Sequence, residues 1–127
     1  MKRDMELCRK ILFAIEEEYI DVAIRNLKIE NYPMEQVAYH CKILHEAGLV
    51  SDYEAKYGGN HIISFDVGSI TWNGHEYLDT IRQDSRWNEI KKQIISKSLP
   101  MTIDVITRVA SSSIAETIKQ IFNESAK

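Results

Sequence analysis

The feature that most constrains this chain is a helix-forming segment that a glycine stops and a strand-forming segment follows at once. Pro33 favours a helix start and keeps the preceding residue extended. After it, Val37, Cys41 and Leu44 fall on one face of a helix, so this face is predicted to be buried. Gly48 supplies the left-handed residue that ends such a helix. The segment therefore predicts a short packed helix that leads directly into a strand.

The residues after the glycine have the pattern of a β-hairpin. Leu49 and Val50 open the first strand, and residues 57–60, Tyr-Gly-Gly-Asn, form a turn sequence suited to the hairpin tip. We predict a return strand from His61 to Trp72. A helix that runs straight into a hairpin is typical of a winged helix, in which the helix enters the DNA major groove and the hairpin contacts the flanking backbone.

Three further elements are predicted around this unit. Asp4 is suited to cap a first helix that closes on the three glutamates at residues 16–18. Across residues 19–32 apolar and polar side chains alternate, which favours a short strand, with a degenerate helix as the alternative. Asn73 and Glu76 form a capping-box pattern at the start of a helix after the hairpin.

Two helices are predicted at the C-terminal end. The first is capped by Asp84 or Ser85, and the second opens at residues 98–100, Ser-Leu-Pro. The second helix carries an apolar stripe that needs another helix against it, made of Ile106, Ala110, Ile114, Ile118 and Ile121. Either a second copy of the chain covers this stripe in a symmetric homodimer, or the chain's own core does. We therefore divide this α+β chain into a winged helix-turn-helix-like domain, residues 1–83, and a C-terminal helical extension, residues 84–127.

Composition indicates a soluble, cytoplasmic protein. Cys8 and Cys41 lie on apolar faces of predicted helices, where free thiols act as small core hydrophobes, so a reducing compartment is expected. No stretch has the length of a membrane span or the apolar core of a signal peptide. Trp72 and Trp87 are expected to pack between the hairpin sheet and the helical extension.

The charge distribution does not favour strong binding of nucleic acid. Residues 1–72 carry eight lysines and arginines against twelve acids, a net charge of −4, and the remaining residues carry eight against seven. Duplex affinity depends largely on phosphate neutralisation, and a DNA-binding surface has the opposite balance. The presumed recognition helix offers Lys42 against Glu35 and Glu46.

The residues predicted to contact DNA are polar or aromatic side chains on the outer face of that helix and on the hairpin: Gln36, Tyr39, Lys42, Lys56, Tyr57 and Asn60. Tyr39 is the first choice because it falls on the exposed side and can both stack and donate a hydrogen bond. Lys2 and Arg3 would add phosphate contacts if they lay nearby. The alternative is a protein-interaction module whose acidic winged-helix surface binds a basic partner and no DNA.

Catalytic and metal-binding patterns are weak in this sequence. His75 and Asp79 lie one helical turn apart, but helix capping explains this region better than a shared metal does. His40 falls on the apolar face and is expected to be half-buried. His45 has the right spacing from Cys41, yet that cysteine is expected to face the core. With no nucleophile elbow or phosphate loop either, we expect no enzyme, no cofactor and no metal site.

Three short motifs occur in order over about the first two thirds of the chain. They are Met1-Lys2-Arg3-Asp4-Met5, the segment at residues 39–49, and Thr71-Trp72-Asn73-Gly74-His75-Glu76-Tyr77-Leu78-Asp79-Thr80-Ile81-Arg82 with Trp87 beyond. As a set, they resemble an uncharacterised bacterial and phage-borne family without an assigned function. The resemblance implies a winged-helix-like fold with a helical tail and a phage or prophage origin, and it supplies no catalytic residues. We therefore expect a non-enzymatic, DNA-associated or transcription-regulatory module.

Overall fold

The computed structural model describes residues 1–112 of the 127-residue chain. The elements are α1 (Met5–Glu18), β1 (Ile24–Arg25), α2 (Met34–Glu46), β2 (Tyr53–Gly58), β3 (His61–Val67), α3 (Trp72–Thr80) and α4 (Asp84–Ser96). Residues 103–112 are also helical and are called α5. This mixture of helices with a small antiparallel sheet confirms the α+β class.

The chain divides into two compact units, Met1–Leu78 and Asp79–Lys127, and the second is described as far as residue 112. The domain division predicted after residue 83 stays a prediction. The predicted interface residues Ile114, Ile118 and Ile121 lie outside the described residues.

Helix α1 begins and ends where its sequence predicts. The Asp4 carboxylate accepts hydrogen bonds from the backbone N–H groups of Glu6, at 3.0 Å, and Leu7, at 3.2 Å. Such a cap stabilises a helix by about 1 kcal/mol. The apolar stripe that includes Ile11 and Ile15 is fully buried, so α1 forms one wall of the core of the first unit.

The sheet is antiparallel, with the strand order β1-β3-β2. The predicted hairpin is confirmed, since Tyr53 pairs with Val67 and Gly58 with His61 across its tip. Gly59 at the tip has φ of 64°, a conformation that favours glycine. The prediction that β3 continues to Trp72 is wrong. Strand β3 ends at Val67, although the chain beyond it still runs alongside residues 50–52. The Gly68 N–H donates to the Asp52 carbonyl at 2.9 Å, and Val50 forms an isolated antiparallel bridge with Ile70.

The strand predicted within residues 19–32 is confirmed only as the two residues of β1. The strand stops before Asn26, whose φ of 51° is left-handed. The Asn26 side chain accepts a hydrogen bond from the Phe65 N–H at 3.0 Å. Residues 26–33, all of them described, form turns and extended chain instead of the alternative degenerate helix. Ile20 and Val22 are about four-fifths exposed, at 82% and 78%, so the alternation there does not mark a buried face.

Helix α2 confirms the prediction made from its termini. It follows Pro33, and Gly48 with φ of 78° ends it. The predicted apolar face is buried, and Cys41, like Cys8, is a free thiol in the core. Burial raises the pKa of both thiols to about 12, so neither is a reactive thiolate near neutral pH.

His40 is fully buried, so the prediction of a half-buried side chain is wrong. Its Nδ1 lies 2.8 Å from the Gln36 carbonyl oxygen, and its Nε2 accepts a hydrogen bond from the Asp4 N–H at 2.8 Å. A carbonyl only accepts and a backbone N–H only donates, so these bonds assign the proton of a neutral imidazole to Nδ1. His40 thereby connects α2 to the start of α1.

Helix α3 is capped by Thr71, so the prediction that Asn73 caps it is wrong. The Thr71 hydroxyl accepts a hydrogen bond from the Gly74 N–H at 3.0 Å and donates one to the Gly48 carbonyl at 2.6 Å. A side chain at position 74 would collide with the Leu49 carbonyl, so glycine permits the close approach. The prediction that Trp72 is packed is also wrong, because it is 80% exposed at the start of α3.

Helix α4 is confirmed, but its predicted caps are not. Gln83 occupies the N-cap position without a side-chain hydrogen bond, and both Asp84 and Ser85 lie inside the first turn. Trp87 is buried as expected, and the Lys91 ammonium lies 5.3 Å from its ring centroid.

In α5, the Thr102 hydroxyl accepts a hydrogen bond from the Val105 N–H at 3.2 Å, as an N-cap does. The Arg86 guanidinium donates to the Ala110 carbonyl at 2.8 Å and so links α4 to α5. Ile106 and Ala110, two of the predicted dimer-interface residues, are fully buried within a single chain. A second copy is therefore not needed to cover this part of the stripe.

Candidate functional site

A groove of about 220 Å³ lies between α2 and the hairpin. We call it the tyrosine groove, and its lining consists of Met1, Glu35, Ala38, Tyr39, Lys42, Tyr53, Tyr57, Asn60 and Ile62. Four of the six residues predicted to contact DNA meet here, namely Tyr39, Lys42, Tyr57 and Asn60. The groove is therefore the candidate functional site.

The helix side of the groove follows from the spacing of its residues. Glu35, Tyr39 and Lys42 are separated by four and three positions, so they lie on one face of α2. At 1.5 Å per residue, Glu35 and Lys42 are roughly 10 Å apart along the helix axis, with Tyr39 between them. The Tyr39 ring meets the buried His40 ring edge-on, with centroids 5.6 Å apart. Tyr39 is half-buried, which leaves part of its ring open to a ligand.

The hairpin side is built on a core aromatic residue. The Tyr53 ring lies 6.2 Å from the ring of Phe65, which is fully buried. Burial raises the pKa of the Tyr53 hydroxyl above its ordinary value, and the nearby Tyr57 hydroxyl raises that pKa further. Tyr57 is 62% exposed. This side of the groove therefore combines a tyrosine packed on the core with an accessible one, and the Tyr53 hydroxyl stays protonated at neutral pH.

A bulge sets the position of Tyr57. Lys56 pairs with Ser64 but Tyr57 pairs with Ile62, so β3 contains one extra residue, Ile63, at this point. Bulges increase local twist and change the direction of a side chain. Here the bulge lies beside the outer tyrosine of the groove.

Lys56 lies away from the tyrosine groove. Glu54, two residues before Lys56 on β2, pairs with Asp66 on β3. A separate polar pocket of about 250 Å³ is lined by Lys56, Ser64 and these two acids. Asp66 also forms an ion pair with Arg25, with a distance of 3.2 Å between Oδ1 and Nε. Lys56 is therefore placed beside two carboxylates and apart from Lys42.

The remaining predicted contacts are not among the groove-lining residues. Gln36 is half-buried on α2, and its carbonyl serves His40. Lys2 and Arg3 are exposed and follow Met1, which does line the groove. Sequence reasoning missed Tyr53 as a site residue, although its spacing of four from Tyr57 is the signal for one face of a strand.

Residues 2–100 match the model of a protein family described as "Hypothetical protein (DUF2513)". The chain belongs to this DUF2513 family. An "Uncharacterized protein" from Haemophilus influenzae is 36% identical to it over 121 residues, which is 93% of this chain and 99% of the relative. No solved structure matches this chain. The predicted membership of an uncharacterised family of unknown function is thus confirmed.

Little fixed charge lines the groove of this DUF2513 protein. Lys42 carries the cation and Glu35 the carboxylate among the side chains that line it, and the other lining side chains are apolar or neutral. Phosphate neutralisation here is limited to one lysine, whereas three aromatic rings are available for stacking. The arrangement is better suited to recognising flat or apolar groups than to binding a highly charged surface.

Residues 1–112 hold neither a cluster of metal-ligating side chains nor a helix that could span a membrane. No three His, Cys, Asp or Glu side chains there lie close enough to hold a metal ion. His75 is exposed at the start of α3, and Asp79 forms an ion pair with Arg82 at 2.9 Å. No helix in this part of the DUF2513 chain combines the length and the apolar character that crossing a bilayer requires.

Proposed function

We propose that this protein is a non-enzymatic winged-helix module that associates with DNA through α2 and the hairpin, in a phage or prophage regulatory setting. The observation that carries the proposal is the meeting of Tyr39, Lys42, Tyr57 and Asn60 in one groove. These residues combine aromatic faces, a cation and an amide, which are the groups that proteins use to contact bases and phosphates.

The topology supports the winged-helix part of the proposal. The order α1-β1-α2-β2-β3 places a helix immediately before a hairpin, and β1 adds to the β3 side of that hairpin. In helix-turn-helix proteins the second helix of the motif contacts the DNA, and we assign that role to α2. This chain differs from a helix-turn-helix motif in residues 26–33, where turns and extended chain stand in place of the first helix of the motif.

The charges predict a weak dependence of binding on salt. The logarithm of the binding constant falls with the logarithm of salt concentration at a slope of about −0.9 for each phosphate neutralised. With Lys42 alone the slope is about −1, and with Lys2 and Arg3 engaged as well it is roughly −3.

The proposal is tested by mobility shift with a fluorescent, mixed-sequence DNA duplex that carries single-stranded overhangs. A complex is expected at micromolar protein and low salt, about 50 mM. Lys42→Ala is expected to reduce the salt slope by about 1. Lys92→Ala, an exposed lysine on α4, is the matched control and should leave binding unchanged. The absence of any complex would refute the proposal.

A second candidate is a protein-interaction module, favoured by the apolar part of the groove lining. Met1 and Ile62 supply apolar surface of the kind that protein partners cover. Glu54 and Asp66 on the polar face of the sheet would suit a basic partner. This candidate predicts no DNA complex at any salt concentration, so the same mobility-shift experiment separates the two.

The proposal includes a cytoplasmic location, where bacterial DNA is found. It also includes a homodimer through the predicted interface residues Ile114, Ile118 and Ile121, since Ile106 and Ala110 are already buried within one chain. Light scattering that gives the mass of one 14.7 kDa chain at high concentration would refute the dimer.

A further inference from the structure

We propose that the tyrosine groove holds an unpaired base, so that the preferred DNA of this protein contains a single-stranded segment. This inference rests on the proposed function and names the form of DNA that the same site takes.

The tyrosine groove offers accessible aromatic rings on both of its sides. Tyr57 is 62% exposed, and Tyr53, which alternation places on the same face of β2, packs on the buried Phe65. Across the groove, Tyr39 is held edge-on against the buried His40. An accessible ring on a rigid support is suited to stack against the face of a base. In a duplex the neighbouring base pairs cover those faces, so stacking requires a base that is unpaired.

Few cationic side chains line the tyrosine groove. Duplex DNA presents two phosphates per base pair, and proteins that bind it neutralise several of them. The groove offers Lys42 alone and places Glu35 roughly 10 Å away along α2. Stacking does not depend on cations, so a site of this composition gains more from a base than from a phosphate backbone.

Two exposed polar residues that line the groove, Asn60 and Glu35, could form hydrogen bonds with a base. The Asn60 amide carries both a donor and an acceptor, which match the edge of an unpaired base. The Glu35 carboxylate can accept a hydrogen bond from an exocyclic amino group. The acidic residue, which opposes phosphate binding, thus has a role when the ligand is a base.

The inference is tested by fluorescence anisotropy on a single strand of about a dozen nucleotides and on the blunt duplex of the same sequence. At low salt the single strand is expected to bind at least about tenfold more tightly than the duplex. Tyr57→Leu should weaken single-strand binding by roughly 5- to 150-fold, whereas Tyr57→Phe, which keeps the ring, should retain most of it. Trp72→Leu removes an exposed aromatic residue outside the groove and is the matched control.

The binding results test three things separately, namely the unpaired base, the stacking on Tyr57 and the proposed function. Equal affinity for the two DNA forms would overturn the unpaired base and leave the proposed function intact. If Tyr57→Phe weakened binding as much as Tyr57→Leu, stacking would be excluded as the source of affinity. Failure of both DNA forms to bind would overturn the proposed function itself. Because Tyr57 is mostly exposed, its variants are expected to fold, which thermal unfolding followed by circular dichroism verifies.

Discussion

Replacing His40 by leucine removes two hydrogen bonds at the point where α2 meets the start of α1. The Asp4 N–H loses its acceptor, and the Gln36 carbonyl loses one of its donors. Leaving a buried donor without a partner costs about 1–3 kcal/mol, and each lost bond is worth about 1 kcal/mol. Asp4 is half-buried, so water partly replaces the lost acceptor and the lower part of this range applies. We therefore expect the free energy of unfolding to fall by about 2 kcal/mol.

Urea unfolding followed by circular dichroism measures this change as a shift of the midpoint. His45→Leu is the matched control because His45 is exposed on the same helix, and its effect should stay within about 0.5 kcal/mol. If the two variants unfolded at the same urea concentration, the connecting role of His40 would be refuted. The assigned tautomer is checked separately, since nitrogen NMR should find the His40 proton on Nδ1.

The remaining predictions concern the cap of α3 and the buried thiols. Thr71→Val should destabilise the protein by about 1 kcal/mol in urea unfolding, whereas Asn73→Ala should be near neutral, and the reverse order would restore Asn73 as the cap. Burial raises the pKa of Cys8 and Cys41 from 9.0 to about 12, so their contribution to stability is complete below pH 9. Above pH 9 the unfolded chain loses these protons first, and stability should fall by roughly 1 kcal/mol per pH unit for each thiol until about pH 12. A flat unfolding free energy between pH 9 and 11 would contradict this assignment of the thiols to the core.

The parts of the fold that the sequence predicted depend on signals within a few residues. Pro33 and Gly48 define α2 through their own backbone preferences, and Gly59 at the hairpin tip does the same for the turn. The errors involve partners that are distant in sequence. The buried His40 accepts a hydrogen bond from the Asp4 N–H, 36 residues away. Thr71 caps α3, and its hydroxyl donates to the Gly48 carbonyl, 23 residues away. Neither pairing has a local signal.

The candidate site was predicted in part, for a geometric reason. Tyr39 and Lys42 share a helix face, and helical spacing is readable from the sequence. On the hairpin, adjacent residues point to opposite faces, so Lys56 and Tyr57 could not both serve one groove, and alternation favours Tyr53 as the companion of Tyr57. The bulge beside Tyr57 was not predictable, because it depends on how β3 pairs with β2.

The contacts that hold α2 also bear on how the groove would bind a ligand. At its middle the helix is connected to α1 through His40, and beyond its end the Gly48 carbonyl accepts a hydrogen bond from Thr71. The ring of Tyr39 packs on one of these connecting residues, and the ring of Tyr53 packs on the core residue Phe65. Both walls of the groove are therefore fixed by buried groups before any ligand arrives. If the groove binds a base as proposed, a site held in this way would lose little conformational entropy on binding, which would favour stacking on its aromatic rings.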